Sequence, residues 1–273
     1  MAKNKLKTEK ISIERQIMGV FNELIYQLPF MKGLVEVDIT EAREIIRNFS
    51  EKSETKISLT GWIIKAVSQA LMEHPRVQAY KLSKRKLVIP EEVNFGIMVE
   101  RKTFDGKTLP SMELIKSAQS KSVMEISDEI REFQRRIITE KELLMGGGNF
   151  TRKLQYFFFA ILPGFISRRI LKKVALNKEF LVKFSGTVGI TALGMFGKNA
   201  SGHVIHFPTR TVDLAIGTIS FKPRYIENKL VKREIMNMTF YVDHNVVDGA
   251  PAARFISRAI ELMESASGLD ELA

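Results

Sequence analysis

The stretch from Met236 to Glu264 constrains the fold of this chain more than any other. It begins with the run Met236–Val242, whose branched and aromatic residues are typical of a buried strand. It leads into the segment Ala250–Ser265, where apolar residues recur at helical spacing. Only a short turn separates the two segments. A buried strand that passes directly into an amphipathic helix favours a fold in which helices pack against a sheet.

The remaining segments favour the same class of fold. Helical spacing predicts helices over residues 13–27, 41–49 and 59–73, and one or two amphipathic helices over 111–136. Alternating or branched apolar residues predict strands over 34–40, 86–89, 93–99, 182–193 and 214–221. Because strands and helices do not alternate strictly, we predict the α/β class, an α+β sandwich with a mixed β-sheet and flanking helices. A chain of 273 residues suits one large domain or two ordinary ones.

The composition excludes several kinds of chemistry. The chain has no cysteine, which rules out disulfides, thiol nucleophiles, iron–sulfur clusters and cysteine-ligated zinc, and with only four histidines we predict no metal site. The formal charge of +11 suits an anionic partner such as a membrane surface or a phosphate-bearing molecule. No motif that reads nucleic acid accompanies this charge, so we predict no nucleic-acid partner. Without a secretory signal or an apolar run of about 18 residues, the expected location is the cytoplasm.

One segment departs from the rest in composition. After the flexible run Gly146–Gly148, residues 150–183 contain eight basic side chains, one acidic side chain and several aromatic ones. Basic and aromatic residues together are typical of a helix at a membrane surface, so residues 154–173 are a predicted peripheral membrane contact. A channel for a long acyl chain would show the same composition. A core helix with a solvated basic face is as good an interpretation as these two together.

The candidate catalytic residues lie in the turn between the strand and the helix of the stretch Met236–Glu264. His244 follows the strand directly, where a bend can present its side chain to a pocket, and an imidazole can take up and return a proton near neutral pH. Asp248 stands near the start of the helix and has a simpler role open to it, the capping of exposed N–H groups. Gly249 would then be needed only for the backbone conformation of the turn. The bare spacing His-x-x-x-Asp-Gly also occurs by chance.

The residues around this spacing make it specific. The run DHNVVDGAPAARF resembles the C-terminal active-site motif of the 2-oxoacid dehydrogenase acyltransferases, the dihydrolipoamide acyltransferase family, which shares its fold with chloramphenicol acetyltransferase. Four further blocks resemble the family in the same order: LPFMKGLVEVDITEAREIIRNF, ISLTGWIIKAVSQALMEHPRVQAY, VNFGIMVE and SGTVGITALGMFG. The resemblance implies one acyltransferase catalytic domain over residues 11–267, with an atypical segment at 146–183, a basic arm at 1–10 and a tail at 268–273.

The resemblance also implies roles for individual residues. His244 corresponds to the general base of the family, and Thr191 to the serine whose hydroxyl stabilises the oxyanion, since the family has a serine at that position. Asp248 would hold the loop that orients the histidine. Gly249 and His206 fall at positions expected to bind substrate, although a structural role for His206 is the alternative. The family transfers acyl groups between coenzyme A and an acceptor within a ternary complex, and it forms homotrimers in which the histidine of one subunit faces the pocket of its neighbour.

Departures from the family pattern leave the acceptor open. Asn245 replaces the arginine that follows the histidine, and the chain begins close to the catalytic domain, so the lipoyl and subunit-binding domains of a full dehydrogenase acyltransferase are not expected. We therefore predict an acyl-CoA-dependent acyltransferase with an unidentified thiol, hydroxyl or amine acceptor. One alternative is the catalytic core of a 2-oxoacid dehydrogenase complex whose lipoyl group is supplied by a separate chain. The other is a non-catalytic scaffold or membrane-associated assembly subunit.

Overall fold

The computed structural model describes residues 8–139 apart from 12, 27, 54 and 84, residues 178–194 and 201–272, and the isolated positions 165, 166, 169 and 173. Its helices are α1 (Ile13–Tyr26), α2 (Thr40–Lys52), α3 (Leu59–Glu73), α4 (Val123–Arg135), α5 (Lys178–Ser185) and α6 (Gly249–Glu264). Its strands are β1 (Phe30–Asp38), β2 (Tyr80–Ser83), β3 (Lys86–Val88), β4 (Phe95–Lys102), β5 (Thr108–Ile115), β6 (Val188–Ala192), β7 (Val212–Ile226) and β8 (Lys229–Asp243).

Six of these strands form one mixed sheet, in the order β1-β8-β7-β6-β4-β5, while β2 and β3 form a separate hairpin. The two pairs that involve β6 are parallel, β4 with β6 and β6 with β7, whereas β1–β8, β8–β7 and β4–β5 are antiparallel. The predicted class, a mixed sheet with flanking helices, is therefore confirmed.

Helices cover one face of the sheet and make the main core there. The fully buried side chains of Trp62 and Phe255 come from α3 and α6, and they join Phe240 of β8 in one apolar cluster. Local sequence fixes where the helices begin. Ser58 accepts a hydrogen bond from the Gly61 N–H at the start of α3, and α4 opens with a capping box between Ser122 and Glu125.

The other face of the sheet, called here the second face, has a different character. In β8 it carries Thr239, Tyr241 and Asp243, which alternate with the core residues of the first face. Strand pairing places Asp213 and Ala215 of β7 and Gly189 and Thr191 of β6 on the same face, and Gly96 and Met98 of β4 continue it. The segment 201–211 crosses it, since Val204 and His206 both hydrogen-bond the Tyr241 hydroxyl.

Two predicted elements are wrong in part. Residues 111–115, at the start of the segment 111–136 that was predicted to be helical, belong instead to the edge strand β5, because Met112 and Leu114 alternate with Ser111 and Glu113 and pair with β4. The apolar side chains three residues apart, Met112 and Ile115, imitate a helical repeat.

The strand predicted over 182–193 begins later than expected. Residues 182–185 are the last turn of α5. Gly186 ends the helix with a positive φ of 81°, where a side chain would also collide with the Asn94 carbonyl, so only the part from Val188 to Ala192 is strand.

Several predictions fall on residues beyond the described ranges. The atypical segment 146–183 is described only at four single positions and from residue 178 onward, and the membrane contact over 154–173 lies almost wholly outside the described residues, so both stay predictions. Of the N-terminal arm, only residues 8–10 are described. The tail at 268–273 contains Leu269, whose side chain is fully buried. None of the helices in the described ranges is long and apolar enough to cross a membrane.

Candidate active site

The turn that carries His244 is held by its backbone. The His244 N–H donates to the Pro29 carbonyl over 2.9 Å, and the Asp243 carboxylate accepts from the Asn245 N–H over 2.9 Å. The Asp243 carbonyl accepts from Val246 and Val247, whose N–H groups lie 3.0 Å away. The His244 side chain is exposed, and no hydrogen bond joins it to any residue in the described ranges. The fold therefore fixes the position of His244 and leaves its imidazole accessible.

Asp243 is a site residue that the sequence analysis did not single out. Asp243 is buried, with only 3% of its surface exposed. Its carboxylate shapes the turn because it accepts a hydrogen bond from the N–H of Asn245, two residues further along the chain. Aspartate side chains typically make this local hydrogen bond in turns. An aspartate directly before the histidine, at the end of a predicted strand, could therefore have indicated this role from the sequence.

The capping role open to Asp248 and the backbone role open to Gly249 are not found. Asp248 is the residue before α6, but its carboxylate makes no capping hydrogen bond, and only its carbonyl accepts, from Ala252. Gly249 does not have a positive φ, and a side chain there would meet no atom within 4 Å. Both residues are exposed beside His244. The interpretation of Asp248 as a side-chain cap is therefore wrong, and so is that of Gly249 as a residue required by the backbone conformation. The contribution of these two residues to the active site stays a prediction.

Thr191 lies in the middle of the sheet. In β6 it is paired with Ala215 of β7, which is paired with Thr239 of β8, so the three side chains share one row on the second face. Thr191 is partly exposed, whereas Ala215 and Thr239 are fully buried. Within the described part of the chain, the Thr191 hydroxyl has no hydrogen-bond partner. It is thus available to a ligand on this face.

His244 and Thr191 of one chain are far apart. Asp243 lies four residues beyond Thr239 along β8, and β8 is two strands away from β6. With a rise of about 3.3 Å per residue and a strand spacing of about 4.8 Å, the Cα atoms of Asp243 and Thr191 are about 16 Å apart, and His244 lies beyond. Neither side chain bridges that distance. Within one chain, the structure does not bring the predicted base and the predicted oxyanion donor together.

His206 belongs to the segment 201–211, which crosses the second face. Its ring packs edge-on against Tyr241, with the ring centroids 4.7 Å apart, and its backbone N–H donates to the Tyr241 hydroxyl over 2.7 Å. Burial lowers the pKa of the imidazole below its usual value, so the ring is neutral at pH 7. Its Nδ1 atom is buried with no partner among the described residues. This packing gives His206 a structural role, and its predicted contact with substrate stays a prediction.

A buried ion pair closes the second face near the start of β6. Arg210 Nη1 lies 3.0 Å from Asp213 Oδ1, and Arg210 Nε donates to the Ser185 carbonyl over 2.6 Å. Side chains in place of Gly96 or Gly189 would collide with this network. Neither Arg210 nor Asp213 was predicted from the sequence as a site residue. Two glycines within predicted strands, which mark close approach by other groups, were the available signal.

Comparison with known proteins identifies the family. The sequence model of the catalytic domain of 2-oxoacid dehydrogenase acyltransferases matches residues 5–151 and 178–269, which is most of the chain. The chain belongs to the 2-oxoacid dehydrogenase acyltransferase family. The match omits residues 152–177, which lie inside the segment that composition singled out as atypical.

Across the described ranges, no cluster of three or more histidine, aspartate or glutamate residues is arranged to hold a metal ion.

Individual members of this enzyme family resemble the chain at modest identity. The acetyltransferase component of the pyruvate dehydrogenase complex of Mycoplasma genitalium is 27% identical over 82% of this chain and 48% of its own length. The lipoamide acyltransferase component of the branched-chain α-keto acid dehydrogenase complex of Caenorhabditis elegans is 26% identical over 82% of this chain and 41% of its own length. The chain therefore spans about half the length of these relatives, or less.

Solved structures of acyltransferase cores share the fold. A probable dihydrolipoamide acetyltransferase from Listeria monocytogenes superposes with a TM-score of 0.68 at 21% identity, over 96% of both chains. The cubic core of the pyruvate dehydrogenase multienzyme complex superposes with a TM-score of 0.64 at 18% identity, over 96% of this chain and 93% of that one.

Proposed function

We propose that this protein transfers an acyl group between a coenzyme A thioester and an acceptor, with His244 as general base and Thr191 as oxyanion donor. The observation that carries the proposal is the His244 turn, in which backbone hydrogen bonds fix the residue at the end of a central strand while the imidazole stays exposed. Membership of an enzyme family with this catalytic domain supports the same chemistry.

The proposed reaction needs no residue that the chain lacks. The His244 imidazole takes the proton from the S–H, O–H or N–H of the acceptor, and the acceptor atom attacks the thioester carbon. The carbonyl oxygen becomes an oxyanion, to which the Thr191 hydroxyl donates a hydrogen bond. Collapse of this intermediate breaks the C–S bond, and the imidazolium returns its proton to the departing thiolate. The products are the acylated acceptor and free coenzyme A, so atoms and charges balance without a cysteine or serine nucleophile.

The distance between the two residues makes an assembled site part of the proposal. Because about 16 Å separates Asp243 from Thr191 within one chain, we infer that His244 of one copy acts with Thr191 of the next. A homotrimer, which the family resemblance implies, supplies such a pairing in a closed ring. Thr191 opens onto the second face, and His244 projects from the end of the sheet, so the two can meet across an interface.

A projecting ribbon supports assembly into an oligomer. Among the described residues, the outer halves of β7 and β8, residues 219–226 and 229–233, pair only with each other, since the pairing of β6 with β7 ends at Ile216 and that of β1 with β8 at Ile235, and Glu234 still accepts from the Ile39 N–H. One face of this ribbon carries Ile219, Phe221, Pro223, Tyr225 and Leu230, together with Lys232, whose Nζ lies 4.0 Å from the centre of the Phe221 ring. Tyr225 is 80% exposed and Phe221 60% exposed. Aromatic side chains displayed in a row are typical of a surface that another protein chain covers.

The names of the relatives favour a more specific candidate for the acceptor. Their names describe dihydrolipoyllysine-residue acetyltransferases and lipoamide acyltransferases. In this version of the proposal, the acceptor is a dihydrolipoyl thiol carried by a separate domain or chain. Incubation with acetyl-CoA and a free reduced lipoyl domain tests it. Acetylation of the lipoyl thiol, detected by mass spectrometry, would establish this acceptor, and the absence of acetylation with an otherwise active protein would exclude it.

The decisive experiment for the chemistry is CoA release measured with acyl-CoA and a small dithiol, dihydrolipoamide. His244→Ala is expected to abolish release, and Thr191→Val to lower it by about 10²–10³ because the oxyanion loses its donor. Thr191→Ser is the matched control, since it keeps the hydroxyl, and it should retain most of the rate. Wild-type rates in the His244→Ala variant would contradict the proposal.

A further inference from the structure

The environment of Thr191 shows where the acyl chain of a substrate can lie. This step rests on the proposed function, in which the thioester carbonyl oxygen accepts a hydrogen bond from the Thr191 hydroxyl. The acyl chain is covalently attached to that carbonyl carbon, so its first carbons must lie on the residues that surround Thr191 on the second face. Those surroundings differ sharply from one side to the other.

Two sides of Thr191 are closed. Toward the start of β6, the next position on this face is Gly189, whose outward space is filled by Asp213 and Arg210. Toward β7 the neighbour is Ala215, which is fully buried, and Thr239 beyond it is also fully buried. An acyl chain cannot extend in either of these directions without displacing packed side chains or the buried ion pair.

The side toward β4 is open and apolar. Strand pairing runs Gly96 with Gly189 and Ile97 with Ile190, so Met98 is the next residue beside Thr191. Met98 is directly paired with Met112 of β5, and both point to the second face. Met98 is 46% exposed and Met112 is 50% exposed. The two thioether side chains therefore continue the row of Thr191 outward to the edge of the sheet.

Polar groups and a helix bound this methionine pair at one end. The Ser185 carbonyl, at the end of α5, fills the space in front of Gly96, and Arg210 Nη2 lies 3.4 Å from Met112 Sδ. In the opposite direction, the next pair on this face is Glu100 with Pro110, where a carboxylate replaces the thioether. On β4 and β5, the exposed apolar surface of the second face is therefore limited to this methionine pair.

We propose that Met98 and Met112 form the floor on which the acyl chain of the substrate lies, so that the protein prefers an aliphatic acyl group longer than acetyl. With a strand spacing of about 4.8 Å, a chain that leaves Thr191 crosses Met98 and then reaches Met112 at about 9.6 Å, which corresponds to acyl groups of about four to eight carbons. Methionine side chains are flexible and polarizable, so they adapt to an alkyl chain better than branched residues would.

The test measures chain-length preference. The kcat/KM for CoA release with dihydrolipoamide is compared for acetyl-, butanoyl-, hexanoyl- and octanoyl-CoA, and the Kd of each thioester is measured by calorimetry, which needs no acceptor. Burial of a methylene group favours binding about fourfold, so the wild-type preference should rise by up to that factor for each added methylene on the floor.

Met98→Glu and Met112→Glu place a carboxylate under the chain and should lower the ratio of hexanoyl to acetyl at least tenfold in both measurements. Met124→Glu is the matched control. Met124 is 41% exposed, but it lies on α4, on the helix-covered side of the sheet, so it should keep the wild-type ratio. An unchanged ratio in both floor variants, or a wild type that prefers acetyl, would overturn the floor while leaving acyl transfer in place. Absence of His244-dependent transfer from every thioester would instead overturn the proposed function.

Discussion

Two inactive variants should restore activity to each other if the site is shared between chains. His244→Ala removes the base and leaves Thr191 intact, whereas Thr191→Val removes the hydroxyl and leaves His244 intact. The separation of about 16 Å between Asp243 and Thr191 along and across the sheet means that neither chain contains a complete site. A mixed oligomer, however, places an intact His244 next to an intact Thr191 at some of its interfaces.

The size of the recovery follows from the geometry of a closed ring. Each site takes its histidine from one chain and its threonine from the next. In a random one-to-one mixture, a Thr191→Val chain is followed by a His244→Ala chain at about a quarter of the interfaces, so about a quarter of the wild-type activity should return. Each variant alone should show about 1% or less, because loss of the oxyanion donor costs about 10²–10³ in rate.

The assay is CoA release after the two variants are unfolded together and refolded, with two affinity tags to verify that the chains have mixed. The control mixes wild-type protein with a chain that carries both substitutions. About a quarter of the activity should remain if the site is shared, and about a half if it lies within one chain. No recovery in the first mixture, together with a half in the control, would refute the assembled site.

Two further predictions concern stability. Asp213→Ala leaves the Arg210 guanidinium buried without its carboxylate and should lower the free energy of unfolding by about 3–5 kcal/mol, measured by urea denaturation, and a loss below 1 kcal/mol would contradict the importance of the pair. His206 has a folded-state pKa below its ordinary value of 6.5, because burial disfavours the charged ring, so its contribution is complete above pH 6.5 and is lost as the pH falls through the folded pKa, with a slope of at most about 1.4 kcal/mol per pH unit. His206→Phe should flatten this acid dependence in denaturation curves at pH 5, 6 and 7, and an unchanged slope would show that other groups cause it.

Local patterns in the sequence were enough for most elements and for the principal motif. The helix predicted over 59–73 and the strand-turn-helix unit around His244 were found as expected, because their apolar spacing and turn chemistry are local properties. The prediction failed over 111–115, where a short run fits two periods and pairing with β4 decides between them. It failed again at residues 182–185, where the turn at Gly186 separates a helix from a strand of similar composition.

The sequence by itself determined the family, the fold class and the identity of the candidate catalytic residues, since each of these depends on short runs of residues. Only the tertiary structure decided how those residues relate in space. The pairing of β4, β6, β7 and β8 joins residues that are far apart in the chain, and no local pattern sets that register. It is this register that separates His244 from Thr191, buries Arg210 beside Asp213, and places two exposed methionines next to the proposed oxyanion donor.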